Sequence, residues 1–378
     1  MNQKTINILI DPQIFNEQKF GGISRYYTEI YTALKNKESV EVNCPLLYTE
    51  NIHFKESPLF NTSFQKKNAF LINYSKVFRP FLPRKLKKKN AREFISLLKA
   101  QKFDLFIPTY YNTDFLRYLG NKPFVLTVYD MIHELFPQYF LEDRDTVPNK
   151  KTLMEKATKI IAISESTKAD ILNIYPHIDA GKIEVVYLAH SIKTASNIKS
   201  DLPKKYILFV GNRLFYKNFI FFLRVVSPIL KANPDLYLVC AGGNAFNDEE
   251  QELINNLDVN SQILQKNFLD IELANYYQGA QCFVFPSAYE GFGIPVLEAM
   301  ACGCPVILAD HSSFPEVAGN AGIYFELNNA EDLSNKLNQL LENNNLRTEY
   351  KHKGLMQADK FNWQKTAEAC LNIYKKSI

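Results

Sequence analysis

The stretch YEGFGIPVLEAMACGCPVILAD (residues 289–310) places two acidic residues around a glycine turn and continues into small and apolar residues. Its PVIL segment has the composition of a strand buried on both faces. Ile294 and Pro295 are expected to begin a helix, because proline is favoured in a first turn, where its missing N–H costs nothing. Glu290 then precedes the helix and Glu298 lies in its early turns. The stretch predicts one strand–loop–helix–strand unit of a parallel sheet.

Short apolar runs alternate with helix-length segments along the rest of the chain, which predicts an α/β protein with parallel sheets. The predicted strands are residues 6–10, 40–44, 104–107, 124–129, 159–163, 183–187, 206–211, 236–242, 281–286, 305–308 and 322–325. A length of 378 residues suits two domains. We expect a Rossmann-like domain over 1–189, a polar linker over 190–204, a second Rossmann-like domain over 205–360 and a final amphipathic helix over 361–378. The sequence does not name the partner of that helix, and a return to the N-terminal domain is one option.

Composition excludes several classes of function. A net charge of +4 is too mild for a general polyelectrolyte binder, and no nucleic-acid recognition motif accompanies it. The first apolar run is too short for a signal peptide, and no later run reaches the length of a membrane span. The six cysteines lack paired metal-ligand spacing and are interpreted as small buried residues of a reducing cytosol.

The two acids of the opening stretch follow a predicted strand, at the sheet edge where α/β proteins bind ligands. The glycines of GFG let a ligand approach the backbone, and a helix N-terminus suits a phosphate. Carboxylates beside a phosphate would repel it, so Glu290 and Glu298 are better suited to accept hydrogen bonds from neutral hydroxyls on either side. A sugar and a ribose joined by phosphates form a nucleotide sugar. The alternative is a helix with a capping acid.

A basic pair, Arg213 and Lys217, follows another predicted strand at the point where a turn becomes a helix. Transfer of a sugar from a nucleoside diphosphate develops negative charge on the leaving diphosphate, and fixed cations stabilise that charge. The pair therefore predicts a diphosphate site. The alternative is a solvated helix start.

These segments resemble glycosyltransferase family 4, whose members are retaining enzymes with the GT-B fold and use nucleotide-sugar donors. FPSAYEGFGIPVLEAMACGCPVI is similar to the E-x7-E signature of the family, FVGNRLFYKN (209–218) to its first C-domain loop, and FGGISRYYTEI (20–30) to its N-terminal glycine loop. The resemblance implies that Glu290 contacts the donor hexose and Glu298 the ribose. The donor-binding backbone implied by it comprises Gly21, Gly22, Gly211, Asn212, Phe292, Gly293 and Ile294. For Gly21 and Gly22, a plain glycine turn that caps a helix remains the alternative.

The resemblance implies a cytoplasmic hexosyltransferase that acts on a glycan or lipid-linked saccharide, as in bacterial surface polysaccharide synthesis. A GDP-mannose-like donor is preferred and a UDP-sugar comes next. We expect no cofactor and no metal, because no D-x-D follows a strand and EDRD (142–145) lies in a charged helical stretch. The alternatives are a GT-B phosphorylase, a sugar-phosphate synthase and a non-catalytic nucleotide-sugar binding protein. A dinucleotide-dependent oxidoreductase is disfavoured, since no G-x-G-x-x-G follows the first strand.

The residues beside the reacting centre are less well defined. Many relatives carry a histidine directly before an aspartate at the end of an N-domain strand, whereas this chain has Tyr129 before Asp130 and a histidine only at His133. Asp130 and His133 are both candidates for the reacting centre. The alternatives are that Asp130 caps a helix and that His133 is a buried structural residue.

The segment FRPFLPRKLKKKNAREF (78–94) interleaves Arg and Lys with Phe and Leu. This pattern suits the surface of an anionic membrane, so we expect peripheral contact with the inner face of the cytoplasmic membrane. The alternative is a solvated charged face.

Overall fold

The computed structural model describes residues 5–61, 82–193, 201–269 and 271–378. The chain forms two compact units, one comprising Met1–Leu188 with Trp363–Ile378 and the other Ala189–Asn362. Part of the predicted linker, residues 194–200, lies outside the described residues, as do residues 78–81 of the basic segment. In the part of the chain that is described, no helix combines the length and apolar character needed to cross a bilayer.

The first unit contains parallel strands covered by helices. Its described strands are β1 (Ile6–Ile10), β2 (Val40–Asn43), β3 (Leu105–Ile107), β4 (Val125–Val128), β5 (Lys159–Ala162) and β6 (Ile183–Val185). They pair in the orders β2-β1-β3 and β4-β5-β6, and a parallel bridge between Phe106 and Phe124 connects the two sets. The strand order reverses at β1, since β2 lies on one side of it and β3 on the other. The carboxyl ends of β1 and β3 are therefore the place in this unit where a ligand is expected.

The helices of the first unit vary widely in length. Those described are α1 (Gln13–Glu17), α2 (Gly22–Lys35), α3 (Ile52–Glu56), α4 (Leu82–Ala100), α5 (Leu116–Leu119), α6 (Ile132–Leu135), α7 (Thr146–Lys156) and α8 (Glu165–Ile174). The prediction of a helix at 142–145 is wrong, because these residues form the turn before α7. The Asp143 carboxylate accepts hydrogen bonds from the Thr146 backbone N–H and hydroxyl, so it serves the start of the helix from outside it.

The second unit has one parallel sheet with helices around it. Its described strands are β7 (Tyr206–Val210), β8 (Tyr237–Ala241), β9 (Ile263–Lys266), β10 (Cys282–Phe285), β11 (Val306–Ala309) and β12 (Gly322–Phe325). Its described helices are α9 (Phe219–Ala232), α10 (Asp248–Asn256), α11 (Leu273–Gly279), α12 (Ile294–Ala301), α13 (Phe314–Ala318), α14 (Ala330–Glu342) and α15 (Asn344–Ala358). The strand order is β12-β11-β10-β7-β8-β9, so it reverses between β7 and β10. This is the order of a dinucleotide-binding sheet, with its ligand crevice at the reversal.

The last helix, α16 (Trp363–Lys376), belongs to the first unit and packs against α2. Tyr26 of α2 contacts the Trp363 ring, and its hydroxyl lies 3.6 Å from the Cys370 sulfur. The hydroxyls of Tyr31 and Tyr374 approach to 3.5 Å farther along the same interface. The amphipathic C-terminal pattern therefore corresponds to a buried helix–helix contact within this unit.

The predicted strands are confirmed to within a residue or two at their ends, and the α/β class is confirmed with them. The burial expected for the six cysteines is confirmed as well.

Candidate functional site

The candidate site of the second unit lies at the carboxyl ends of β7 and β10, the neighbouring strands between which the order reverses. The loops after these strands are joined by a hydrogen bond of 2.7 Å from the Ala288 N–H to the Tyr216 carbonyl. Gly211, directly after β7, has φ +105°, and a Cβ there would meet no atom within 4 Å. The backbone at the reversal therefore borders open space on the side where a ligand would approach.

Lys217 and Glu290 come together across these two loops and form an ion pair. Their side chains are 15% and 14% exposed, so the pair is mostly shielded but reachable. The Lys217 ammonium also lies 4.9 Å from the centre of the Phe285 ring. A cation and an acid separated by 73 positions in the sequence thus share one location at the sheet edge.

The glycine turn after Glu290 is fixed by two serines from the loop after β11. The Ser312 hydroxyl donates to the Glu290 carbonyl at 2.7 Å, and the Ser313 hydroxyl donates to the Phe292 carbonyl at 2.8 Å. Gly293 has φ +97°, and a Cβ there would lie 3.3 Å from the Phe314 ring. Sequence reasoning did not identify Ser312 and Ser313. Their signal was a pair of small hydroxyl residues in the loop that follows a buried strand.

The two acids do not cap α12. The N-cap residue is Gly293, which has no side chain with which to cap the helix. Glu298 is 7% exposed and accepts a hydrogen bond of 3.5 Å from the Tyr277 hydroxyl. Burial and the adjacent Glu298 carboxylate raise the pKa of Tyr277 well above its ordinary value, so its hydroxyl remains a donor. The alternative that these acids are helix caps is therefore wrong for both.

Arg213 is paired within the protein, whereas the sequence predicts a cation that contacts the diphosphate. Its side chain is 3% exposed, and its Nε donates to Glu250 at 2.9 Å. Its terminal nitrogens donate to four backbone carbonyls of the loop after β8, those of Gly242, Gly243, Asn244 and Ala245. All the nitrogens of the guanidinium are thus directed at protein acceptors. Asn212, by contrast, is exposed.

Asp130 and His133 lie after β4 in the first unit. The Asp130 carboxylate accepts a hydrogen bond from the Ile132 N–H at 3.1 Å, which supports the start of α6. His133 is 14% exposed, with its Nε2 3.3 Å from the Asp143 carboxylate and its ring 4.1 Å from that of Phe140. Although burial raises the pKa of Asp143, hydrogen bonds from Thr146 and the nearby His133 outweigh it, so this pKa lies below its ordinary value. Asp130 and His133 both have structural partners here.

Tyr129, which directly precedes Asp130, is buried in the core. Its hydroxyl donates to the Tyr27 hydroxyl at 2.7 Å and lies 3.2 Å from the Thr109 carbonyl. Burial raises the pKa of Tyr129 well above its ordinary value, so it remains a neutral donor. It therefore fixes the end of β4 from inside.

Gly21 and Gly22 begin α2, with Gly21 as the N-cap residue. The Gln18 side chain lies over this terminus, and its oxygen accepts from the Ser24 N–H at 3.2 Å. The cap of α2 is thus supplied by Gln18 in this structure. A ligand phosphate at this helix N-terminus would have to displace that side chain.

Among residues 5–61, 82–193, 201–269 and 271–378, no cluster of three or more His, Cys, Asp or Glu side chains is arranged to hold a metal ion.

Comparison with known proteins assigns the family. Residues 20–190 match the profile described as Glycosyltransferase Family 4, and residues 192–355 match Glycosyl transferases group 1. The chain belongs to glycosyltransferase family 4. It is 28% identical over 266 residues to O-antigen chain mannosyltransferase B of Escherichia coli, covering 66% of this chain and 70% of that protein.

A second relative is N-acetylgalactosamine-N,N'-diacetylbacillosaminyl-diphospho-undecaprenol 4-alpha-N-acetylgalactosaminyltransferase of Campylobacter jejuni. It is 29% identical over 225 residues, which cover 58% of this chain and 60% of that protein. The structure of Anabaena HepE in complex with UDP and glucose matches 98% of this chain and 99% of that one, with a TM-score of 0.70 and 15% identity. This structural likeness confirms the GT-B fold. The expectation of a family 4 glycosyltransferase is confirmed.

Proposed function

We propose that this glycosyltransferase is a retaining hexosyltransferase of bacterial surface polysaccharide synthesis. It transfers a hexose from a nucleoside-diphosphate sugar to a glycan or lipid-linked saccharide. The names of the two relatives, one a mannosyltransferase and one that acts on a diphospho-undecaprenol saccharide, support this reaction class. A GDP-mannose-like donor is preferred on the first of these names, and a UDP-sugar comes second.

One observation carries the proposal. Lys217 and Glu290 form an ion pair at the strand-order reversal of the second unit. In the donor complex the Lys217 ammonium would turn to the diphosphate, where negative charge grows as the leaving group departs. Glu290 would be left beside the hexose, where positive charge grows. Each group then interacts more strongly with the transition state than with the ground state, which is the requirement for catalysis.

The other site residues receive supporting roles. The Phe292, Gly293 and Ile294 amides bind the donor at the start of α12, Gly211 and Asn212 form the opposing loop, and Glu298 binds the ribose. Gly21 and Gly22 give backbone contacts to the phosphates after Gln18 has moved.

Arg213 is proposed as a positioning residue in place of the diphosphate contact expected from the sequence. Its guanidinium holds the carbonyls of 242–245 and the Glu250 carboxylate. Arg213 would influence donor binding indirectly, because it fixes the conformation of the loop 242–245.

Asp130 and His133 both remain candidates for the acceptor side. Asp130 is half-buried at the end of β4, and its main chain is held by Lys150. The leaving phosphate oxygen can take the acceptor proton, so neither residue has to be a general base. Replacement of each residue by a neutral one of the same shape distinguishes the two candidates. Replacement of the residue at the reacting centre should lower turnover without a matching change in donor affinity.

The basic segment 78–94 is proposed to contact an anionic membrane surface on the cytoplasmic side. Lys88 and Arg92 are exposed on α4, as such contact requires. Exchange of Lys87, Lys88 and Lys89 for Gln should weaken sedimentation with phosphatidylglycerol vesicles. Unchanged sedimentation would favour the solvated-face alternative.

The reaction class is tested with purified protein, GDP-mannose or a UDP-sugar, and a prenyl-diphosphate saccharide as acceptor. Formation of a glycoside with the anomeric configuration of the donor, seen by proton NMR, is the expected result. An inverted product contradicts retention. A product formed only with a sugar phosphate as acceptor supports the synthase alternative. Release of a sugar 1-phosphate from a glycan by orthophosphate supports the phosphorylase alternative, and donor binding without turnover supports the binding protein.

No cofactor or metal is proposed, since Lys217 supplies the positive charge at the diphosphate. Turnover in the same assay should therefore survive EDTA. Complete loss that magnesium or manganese restores would contradict this part of the proposal.

A further inference from the structure

A cavity of about 240 Å³ lies in the first unit. Its floor is formed by Asp11 and Gln13, which follow β1, and one side by the segment 112–118, which follows β3. The strand order reverses between these strands, so the cavity lies where α/β sheets bind ligands. The described residues thus place a hollow at the expected ligand-binding edge of the first sheet.

The walls of this cavity are mainly apolar. Phe94, Ile95 and Leu98 of α4 form one wall, and Phe115 and Tyr118 form the other. Pockets that hold a whole drug-sized ligand measure about 300–1,000 Å³. The volume here suits a single apolar chain or one end of a longer molecule.

One polar atom on the cavity lacks a partner. Asn16 lines the cavity, and its Oδ1 is buried with no hydrogen-bond partner among the described atoms. Buried side-chain oxygens are nearly always paired, so this acceptor calls for a donor from outside the chain. An ordered water molecule in the cavity can supply that donor beside an apolar chain, so this atom does not have to meet the polar end of the ligand.

The helix that forms the apolar wall also carries positive charge. Lys88, Lys89 and Arg92 surround a surface depression of α4 together with Glu93 and Ser96. Lys88 and Arg92 are exposed, and three cations outweigh the one carboxylate. A helix with an apolar wall and a basic face complements a molecule that joins an apolar chain to an anionic group.

We propose that this cavity binds the chain of a prenyl phosphate, whose phosphate contacts Lys88 and Arg92 of α4. The proposal rests on the proposed function, because it makes the prenyl-linked saccharide the acceptor. A prenyl phosphate is favoured over a membrane phospholipid for two reasons. The volume suits one chain rather than two, and the cavity lies at a ligand-binding sheet edge.

The test is calorimetric titration of the full chain with farnesyl phosphate below its micelle concentration. Ala91 is exposed and lines the cavity, so Ala91→Trp should fill the mouth without disturbing the core. It should weaken binding at least tenfold. Ala100→Trp makes the same change at an exposed position of α4 outside the cavity and should bind as the wild type does. Equal affinity for the two variants would overturn the proposal.

A second comparison tests the phosphate contact. The double variant Lys88→Gln with Arg92→Gln should bind farnesyl phosphate severalfold more weakly than the wild type and should bind farnesol with unchanged affinity. The matched pair Lys55→Gln with Lys156→Gln, exposed elsewhere in the unit, should change neither. Farnesol that binds the wild type as tightly as farnesyl phosphate would overturn the basic contact.

A third comparison separates the two lipid sources. Dihexanoyl phosphatidylglycerol should not compete with farnesyl phosphate, and effective competition would overturn the choice of a prenyl ligand. GDP and UDP titrations of the same proteins keep the two proposals apart. Farnesyl phosphate binding without nucleotide binding would contradict the proposed function alone, and the reverse would contradict the cavity alone.

Discussion

The Lys217 ammonium is largely shielded from solvent, yet part of its side chain remains accessible to a ligand. Its partner Glu290 neutralises it, the Phe285 ring lies beneath the ammonium, and 15% of the side chain reaches solvent. Once donor binding has turned the ammonium to the diphosphate, the cation would be in place before the leaving group departs, which reduces the cost of reorganisation during the reaction.

Lys217→Ala is therefore expected to lower turnover by about 100-fold or more, the scale for one preorganised electrostatic contact. Lys217→Arg keeps the charge and should recover part of the rate. Lys231→Ala, exposed near the end of α9, is the control and should be neutral. Initial rates at saturating donor give the comparison, and an active Lys217→Ala enzyme would remove the assignment.

Asp11 is a buried carboxyl at the end of β1. Burial raises its pKa from 3.8 to about 7, with a smaller contribution from Glu17, against hydrogen bonds from the Gln13 and Thr109 backbone. Between these two pH values the folded state holds a proton that the unfolded state has lost. Stability attributable to Asp11 therefore falls as pH rises from about 4 to 7, by up to about 1.4 kcal/mol per unit.

Asp11→Asn removes this ionisation and keeps the acceptor for the Gln13 N–H. The variant should gain in thermal midpoint relative to the wild type as pH rises from 5 to 7, and the gain should level off above pH 7. Scanning calorimetry at pH 5, 7 and 8 measures it, since titrations elsewhere cancel in the difference. A constant difference across this range would contradict a raised pKa.

At the scale of elements, α6 and α7 are joined by a buried ion pair. The Lys150 ammonium is fully buried and donates to Glu134 at 2.9 Å and to the Asp130 carbonyl at 3.0 Å. It also lies 5.0 Å from the centre of the Tyr111 ring. The second oxygen of Glu134 has no hydrogen-bond partner among the described atoms. This pair holds the turn that carries Asp130 and His133.

Lys150→Met should lower the free energy of unfolding by about 3–5 kcal/mol, because it leaves a buried carboxylate without its cation. Adding Glu134→Leu removes that carboxylate and should restore most of the loss. Urea unfolding of the two single variants and the double variant tests the coupling. A double variant as unstable as Lys150→Met would show that the pair is not the source of the loss.

The elements that sequence reasoning found are those with continuous apolar runs or a glycine–proline turn. Strand β9 was missed because it is an edge strand, and its ILQK sequence has one buried residue and three half-buried ones in place of a continuous apolar run. Helix α15 was missed because its buried residues, Gly354 and Ala358, give no apolar stripe. The partners of Arg213 were beyond reach, since Glu250 is 37 positions away and the other acceptors are backbone carbonyls. The local sequence pattern indicates which segments are buried and where turns occur. Side chains that pair across loops are distant in the sequence, and they come together only when the sheet has assembled.

At the scale of the whole molecule, the proposed roles divide between the two units. Lys217, Glu290 and Glu298 all belong to Ala189–Asn362. Asp130, His133 and the apolar cavity belong to the other unit, which also contains the returning helix α16. Affinity for a bare nucleotide should therefore depend mainly on the second unit. Affinity for the acceptor should depend mainly on the first unit.

The central claim is that Glu290 and Glu298 contact different parts of one nucleotide sugar. Calorimetric titration with the bare nucleoside diphosphate, beside initial rates, tests it directly. Glu298→Gln weakens a charge-assisted hydrogen bond to a ribose hydroxyl, worth roughly 1.5–3 kcal/mol, so it should weaken nucleotide binding about tenfold or more. Glu290→Gln should bind the nucleotide as the wild type does and lose turnover, because the hexose gains positive charge only in the transition state. Normal nucleotide binding and normal turnover in both variants would contradict the account.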